Sequence, residues 1–164
     1  MTLRIALDID DTVLQWRQTH EARFNCKIRK SNPKRITTQV NSLKKDKEFW
    51  TSLPLLEKPN FTPICYCTKR VNPKSFTVSS LKKNNLPVRP IIQFYNQEDN
   101  KADKLVDVAD VLIDDSWYNV QQCLKSGFPA LLITRPHNKH IKTEYRVSHL
   151  DYKEIEQKYN ELFR

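Results

Sequence analysis

Apolar residues recur along this chain in short runs separated by longer mixed stretches. LRIALDI (Leu3–Ile9) has too few polar positions for a strand with one wet face, so it reads as a central, parallel strand. Four further runs follow: PICYC (Pro63–Cys67), VRPIIQF (Val88–Phe94), VADVLI (Val108–Ile113) and ALLIT (Ala130–Thr134). Pro90 has no N–H to give a ladder, which pushes the third run toward a sheet edge. Between the runs lie helical stretches at Ser75–Lys83, Lys101–Val108, Trp117–Ser126 and Tyr152–Leu162. The last carries Ile155, Tyr159 and Leu162 at i, i+4 and i+7, one face of a helix. Gly127, the only glycine, follows the third of these helices, where a left-handed cap is needed.

Strands alternating with helices argue an α/β fold. The expected form is a Rossmann-like, parallel, five-stranded sheet with helices on both faces. Residues 14–60 break the rhythm. They hold two helical stretches, around Trp16–Cys26 and Thr38–Trp50, joined by a polar segment with Pro33. The expected organisation is a core of residues 1–13 and 61–164, with 14–60 as a small, mostly helical cap inserted after the first strand. Ligands of open α/β sheets bind beyond the carboxyl ends of strands, so this insert would cover a site there.

Charge sharpens that picture. The 164 residues carry a formal charge of +9, and residues 17–58 hold eleven Lys/Arg against four Asp/Glu, which places +7 there. A basic segment attracts polyanions or phosphorylated ligands; the plain alternative is a solvated face. No apolar run approaches the ~20 residues of a membrane helix. Asp8, Asp10 and Asp11 interrupt the first run too early for a signal peptide. The expected location is cytoplasmic, with no membrane partner. Cys26, Cys65, Cys67 and Cys123 form no CxxC and read as reduced, structural thiols.

Three strand ends carry unusual residues: Asp8, Asp10, Asp11 and Thr12 on the first, Thr68, Lys69 and Arg70 on the second, Asp114, Asp115 and Ser116 on the fourth. In a parallel sheet these ends share one edge. Up to five carboxylates then converge, and each raises its neighbours' pKa unless a cation compensates. An oxygen-only donor set suits a hard cation such as Mg2+, which can bridge to phosphate.

These residues resemble the four motifs of the haloacid dehalogenase (HAD) superfamily of phosphohydrolases. LDIDDTV resembles its DxDx[TV] first motif, Thr68 its second, a lysine ahead of the fourth strand its third, and LIDD at Leu112–Asp115 its fourth. TKRVNPKSFTVSSLKKNNLP and TRPHN (Thr134–Asn138) resemble stretches of 5'(3')-nucleotidase-like members. The resemblance implies a Mg2+-dependent phosphatase, with a small phosphorylated substrate, a nucleoside monophosphate. By this resemblance Asp8 is the nucleophile, and Asp10 the general acid and then base, its carbonyl also on Mg2+. Thr68 and a lysine bind the transferred phosphoryl, and Asp114 and Asp115 complete the metal site. Asp11 stands where many members carry glycine and reads as a turn residue.

The lysine is open at this point. Lys101 and Lys104 share a helix face at i and i+3; Lys101 is preferred because it starts the helix nearer the strand ends. Lys82 and Lys83 read as surface residues. Thr12, Arg70, Lys104 and Arg135 are candidate substrate contacts, the arginines equally readable as surface charge. The plain alternative for Thr68 is a helix cap. His137 and His140 read as exposed loop residues. Two other functions stay in view: a phosphatase acting on polynucleotide 3'-ends through the basic insert, and a non-catalytic protein binding nucleic acid or another partner on the same scaffold.

Overall fold

A computed structural model of the chain describes residues 2–28, 33–96 and 98–164. Six strands form one parallel sheet in the order β3-β2-β1-β4-β5-β6: β1 (Ile5–Leu7), β2 (Cys65–Thr68), β3 (Ile91–Gln93), β4 (Val111–Asp114), β5 (Ala130–Ile133) and β6 (Arg146–Val147). The first is central and the third lies at an edge, as the apolar pattern and Pro90 indicate. The sixth strand corrects the expected count of five. Two residues are too few to show any period, and only pairing of Leu132 with Arg146 and Ile133 with Val147 defines them.

Successive strand residues face opposite sides, and the core divides accordingly. Ile5, Leu7, Tyr66, Ile113 and Leu131 pack with Leu81 of α4 (Lys74–Lys83) and Ile155 of α7 (Tyr152–Phe163). Ala6, Cys65, Cys67, Leu112 and Leu132 pack with Leu105 of α5 (Ala102–Leu105) and with Val120 and Cys123 of α6 (Trp117–Lys125). All four cysteines are free thiols. Helix α6 ends in a Schellman motif: Gly127 sits at φ 75°, its N–H bonds to Leu124 O, and Phe128 N–H bonds to Cys123 O.

The insert holds α1 (Trp16–Arg23), α2 (Pro33–Ser42) and α3 (Lys47–Ser52). The stretch expected as one helix over Thr38–Trp50 is two. Asp46 breaks it by capping α3, accepting a bond from Phe49 N at 2.9 Å. Pro33 opens α2, where a missing N–H does no harm; residues 29–32 of the joining segment lie outside the described residues. The insert's ends lie side by side, Leu14 bridging Leu55, and its Leu43, Phe49, Trp50 and Leu53 join the apolar cluster under the sheet. Trp50 is 2% exposed, and a core tryptophan of this kind is worth about 3–5 kcal/mol relative to alanine. Among the described residues no helix is long and apolar enough to cross a membrane.

Candidate active site

Register builds the site. Leu7 pairs with Tyr66 on one side and Ile113 on the other, so the next residues, Cys67, Asp8 and Asp114, form a row across β2, β1 and β4. The strand order reverses at β1/β4, the switch point where α/β sheets bind ligands. Lys101, at the N-cap of α5, sends its ammonium to this row. Nζ lies 2.5 Å from Asp8 Oδ1, 2.7 Å from Asp114 Oδ2 and 3.0 Å from Cys67 O. Three ammonium donors thus meet three acceptors, with Lys101 buried. Lys104 is exposed instead, its ammonium 4.8 Å from the centre of the Phe94 ring. The structure therefore brings Lys101 to the carboxylates and leaves Lys104 outside.

Asp114 is wholly buried and accepts further bonds from Ser116 N at 2.8 Å and from the Asn119 amide at 3.1 and 3.2 Å. Asn119 had no signal in the sequence beyond lying on the first turn of α6. Asp115 Oδ2 meets His137 Nε2 at 2.8 Å. His137 is thus half-buried and paired, which corrects its reading as an exposed loop residue; His140 is exposed. Thr12 is enclosed between two of the carboxylates, its hydroxyl 3.4 Å from Asp115 and 3.5 Å from Asp8.

Asp10 does not share the Lys101 row. Arg70 Nη2 donates to its Oδ1 at 2.7 Å and Nε to its Oδ2 at 3.0 Å. The Arg70 side chain is fully enclosed, with its guanidinium 5.2 Å from the Trp50 ring and bonded to Thr77 Oγ1. Gln93 pins this loop, donating to Arg70 O and Asn72 O. Surface charge is therefore not what Arg70 is, and its fork is spent on a carboxylate of the site.

Arg135 is also buried. It donates to Asp11 O at 3.0 Å and Thr12 O at 2.6 Å and pairs with Glu57 at 2.8 Å. Asn138 donates to Asp115 O and Ile133 O. The TRPHN stretch therefore ties the Asp8–Thr12 turn to the Asp115 loop from behind, and Arg135 is a strut where a surface charge or substrate grip was expected. Asp11 lies in the left-handed region at φ 56°, its carboxylate accepting from Arg17 N at 2.8 Å. It shapes the turn, and Asp tolerates that conformation better than most residues.

Thr68 ends β2 and caps no helix, since α4 starts behind Pro73. Its hydroxyl is buried with no hydrogen-bond partner among the described residues. An orphaned buried hydroxyl is destabilising, and a ligand oxygen reaching the end of β2 would satisfy it.

Electrostatics ask for a cation. Burial, with Asp114, Asp115 and Asp10 adding to it, pushes the Asp8 carboxyl well up against the pull of Lys101. Burial also raises Asp115, opposed by the bond from His137, and raises Asp11 to about 7 with Asp115 contributing. Despite its burial, Lys101 is held well above the usual lysine range by Asp114 and Asp8. Lys101 pairs with Asp8 and Asp114 and Arg70 with Asp10, while Asp11 lies 3.8 Å from Arg17 and Asp115 pairs with His137. Oxygens of Asp8, Asp114 and Asp115 lie within 4.8 Å of one another. This donor set fits Mg2+ in charge and chemistry.

No family model and no curated protein sequence matches the chain. Among solved structures it is similar to the crystal structure of an L-2-haloacid dehalogenase. The TM-score is 0.62 with 11% identity, over 96% of this chain and 99% of that one. At that identity the likeness establishes the fold: a parallel α/β sheet of the haloacid dehalogenase type.

Proposed function

We propose that this chain is a Mg2+-dependent phosphomonoester hydrolase that works through an aspartyl-phosphate and takes nucleoside monophosphates. The observation that carries the reading is Asp8 set in one row with Lys101 and Asp114, with the buried Thr68 hydroxyl at the end of β2 unpartnered among the described residues. Mg2+ held by Asp8, Asp114 and Asp115 would supply positive charge to the phosphoryl oxygens.

The rest falls to the chain's own residues. A carboxylate oxygen of Asp8 bonds to phosphorus as the ester P–O bond breaks. The leaving oxygen takes a proton from Asp10. Water then gives a proton to Asp10 and bonds to phosphorus, the bond to Asp8 breaks, and inorganic phosphate leaves. Lys101 answers the charge on the transferred group and Thr68 donates to one of its oxygens, the kind of fixed electrostatic support that carries most phosphoryl-transfer catalysis. Arg70 meets both carboxylate oxygens of Asp10 and so fixes where that side chain stands.

The structural neighbour is named for dehalogenation, which also suits a nucleophilic carboxylate. A halide, however, leaves without a proton and needs neither Asp10 nor an oxygen-lined cation site. The Asp10 carboxyl and a cluster of carboxylate oxygens that could hold such a cation are both present here. The nucleoside part rests on the TKRVNP and TRPHN stretches and their likeness to nucleotidase sequences.

The test is a release assay over nucleotides, sugar phosphates, oligonucleotide ends and 2-haloacids, with Mg2+ and with chelator, on the natural chain and Asp8→Asn. Phosphate release that needs Mg2+ and drops about a thousandfold or more in Asp8→Asn is the expected result. Halide release in chelator would overturn the reaction class, and preference for sugar phosphates would overturn the nucleoside assignment.

A further inference from the structure

The insert's carboxylates are nearly all engaged. Glu21 pairs with Lys27 at 3.2 Å, Asp46 with Arg23 at 3.2 Å, and Glu57 with Arg135 at 2.8 Å. Lys34, Arg35, Lys44, Lys45, Lys47 and Lys58 remain, all exposed and none in an ion pair among the described residues. From Pro33 to Lys45 there is no acidic residue; exposed Glu48 comes only after Lys47. Like charges this close repel, and no packing demands them.

Helix α2 is two-faced. Ile36 and Val40 are half-buried and Leu43 just beyond it is buried, all on one side. Lys34, Thr38, Asn41 and Lys45, spaced by four, three and four, form an exposed stripe on the other. A helix that lies on a membrane needs its apolar face free to enter it; this one is turned inward. What is left outside is a stripe of cations and polar side chains, the groups that contact nucleic-acid backbones. Ten residues of helix run about 15 Å, long enough to follow two or more phosphates of an extended strand. The face is also tied to the site, because α3 carries Trp50 onto Arg70, and Arg70 holds Asp10.

We propose that the exposed basic face of α2 and the α2–α3 turn binds the sugar–phosphate backbone of a nucleic-acid strand, so that the enzyme also acts on a strand's terminal phosphate. The terminal reaction rests on the phosphomonoesterase reading above; the binding does not. The probe is a fluorescent oligothymidylate of about a dozen nucleotides carrying a 3'-phosphate, titrated at about 50 and about 200 mM salt. The variant is Lys34→Glu/Lys44→Glu/Lys45→Glu.

The natural chain should bind with a steep salt dependence. The variant should lose tenfold or more in affinity and flatten the log–log slope by about 2, at ~0.7 per cation. Its turnover of p-nitrophenyl phosphate should match that of the natural chain. Unchanged oligonucleotide affinity in the variant overturns the proposal. So does a preference for vesicles of anionic phospholipid over the oligonucleotide. If no substrate releases phosphate yet the oligonucleotide binds and the variant loses it, the binding face stands and the hydrolase reading falls.

Discussion

Lys101 Nζ lies 2.5 Å from Asp8 Oδ1, and the contact is closed to solvent, the lysine side chain being 1% exposed. A cation so placed holds the buried carboxylates together. Lys101→Met leaves Asp8 and Asp114 facing each other without it, and breaking a buried pair costs about 3–5 kcal/mol. Urea unfolding in chelator should show that loss, and phosphate release should fall at least a hundredfold. A stability change below about 1 kcal/mol would contradict the role given to Lys101.

The Asp10–Arg70 pair has a chemical signature. An acidic phenol leaves without a proton, whereas a nucleoside hydroxyl needs one. Asp10→Asn should slow nucleoside monophosphate hydrolysis by about 10²–10⁴-fold, the usual worth of general acid–base catalysis, and aryl phosphate hydrolysis much less. Arg70→Lys should show the same split, smaller, because an ammonium cannot span both carboxylate oxygens. Equal losses on the two substrates would remove Asp10 from proton transfer.

Mg2+ should stabilise the fold through the carboxylate row. At a hundred times its Kd a ligand adds about 2.7 kcal/mol. Thermal melts with and without Mg2+ should show a clear rise for the natural chain and little for Asp115→Asn. An undiminished rise in that variant would place the metal elsewhere.

His20 supplies a pH dependence far from the strand ends. It is buried on α1 between Trp16 and Phe24, with ring centres 4.8 and 4.9 Å away, and neither ring nitrogen has a hydrogen-bond partner among the described residues. Burial holds its pKa below the ordinary 6.5, against a pull upward from Glu21. The folded state therefore prefers the neutral ring. Its contribution is complete above pH about 6.5 and is lost as pH falls through the lowered folded value, by about 1.4 kcal/mol per unit of that interval. Urea unfolding at pH 8 and pH 5 should show acid destabilisation that His20→Phe reduces. Equal acid sensitivity in the variant would assign the effect to other groups.

By itself the sequence determined the alternation of strands and helices, the central place of Leu3–Ile9, the edge place of the strand after Pro90, and the cap at Gly127. It also showed which strand ends carry Asp8, Thr68 and Asp114. These are local properties: apolar runs, a missing N–H, a permitted φ. Tertiary structure alone decided what each charge does. Lys101 and Lys104 are equivalent in spacing, and only the row of Asp8, Cys67 and Asp114 distinguishes them. Arg70 and Arg135 look alike in sequence, yet one meets Asp10, 60 residues away, and the other the carbonyls of Asp11 and Thr12, 124 and 123 residues away. His137 likewise depends on where Asp115 lies. A charged side chain takes its role from the acceptors and solvent around it, and folding brings those from distant parts of the chain.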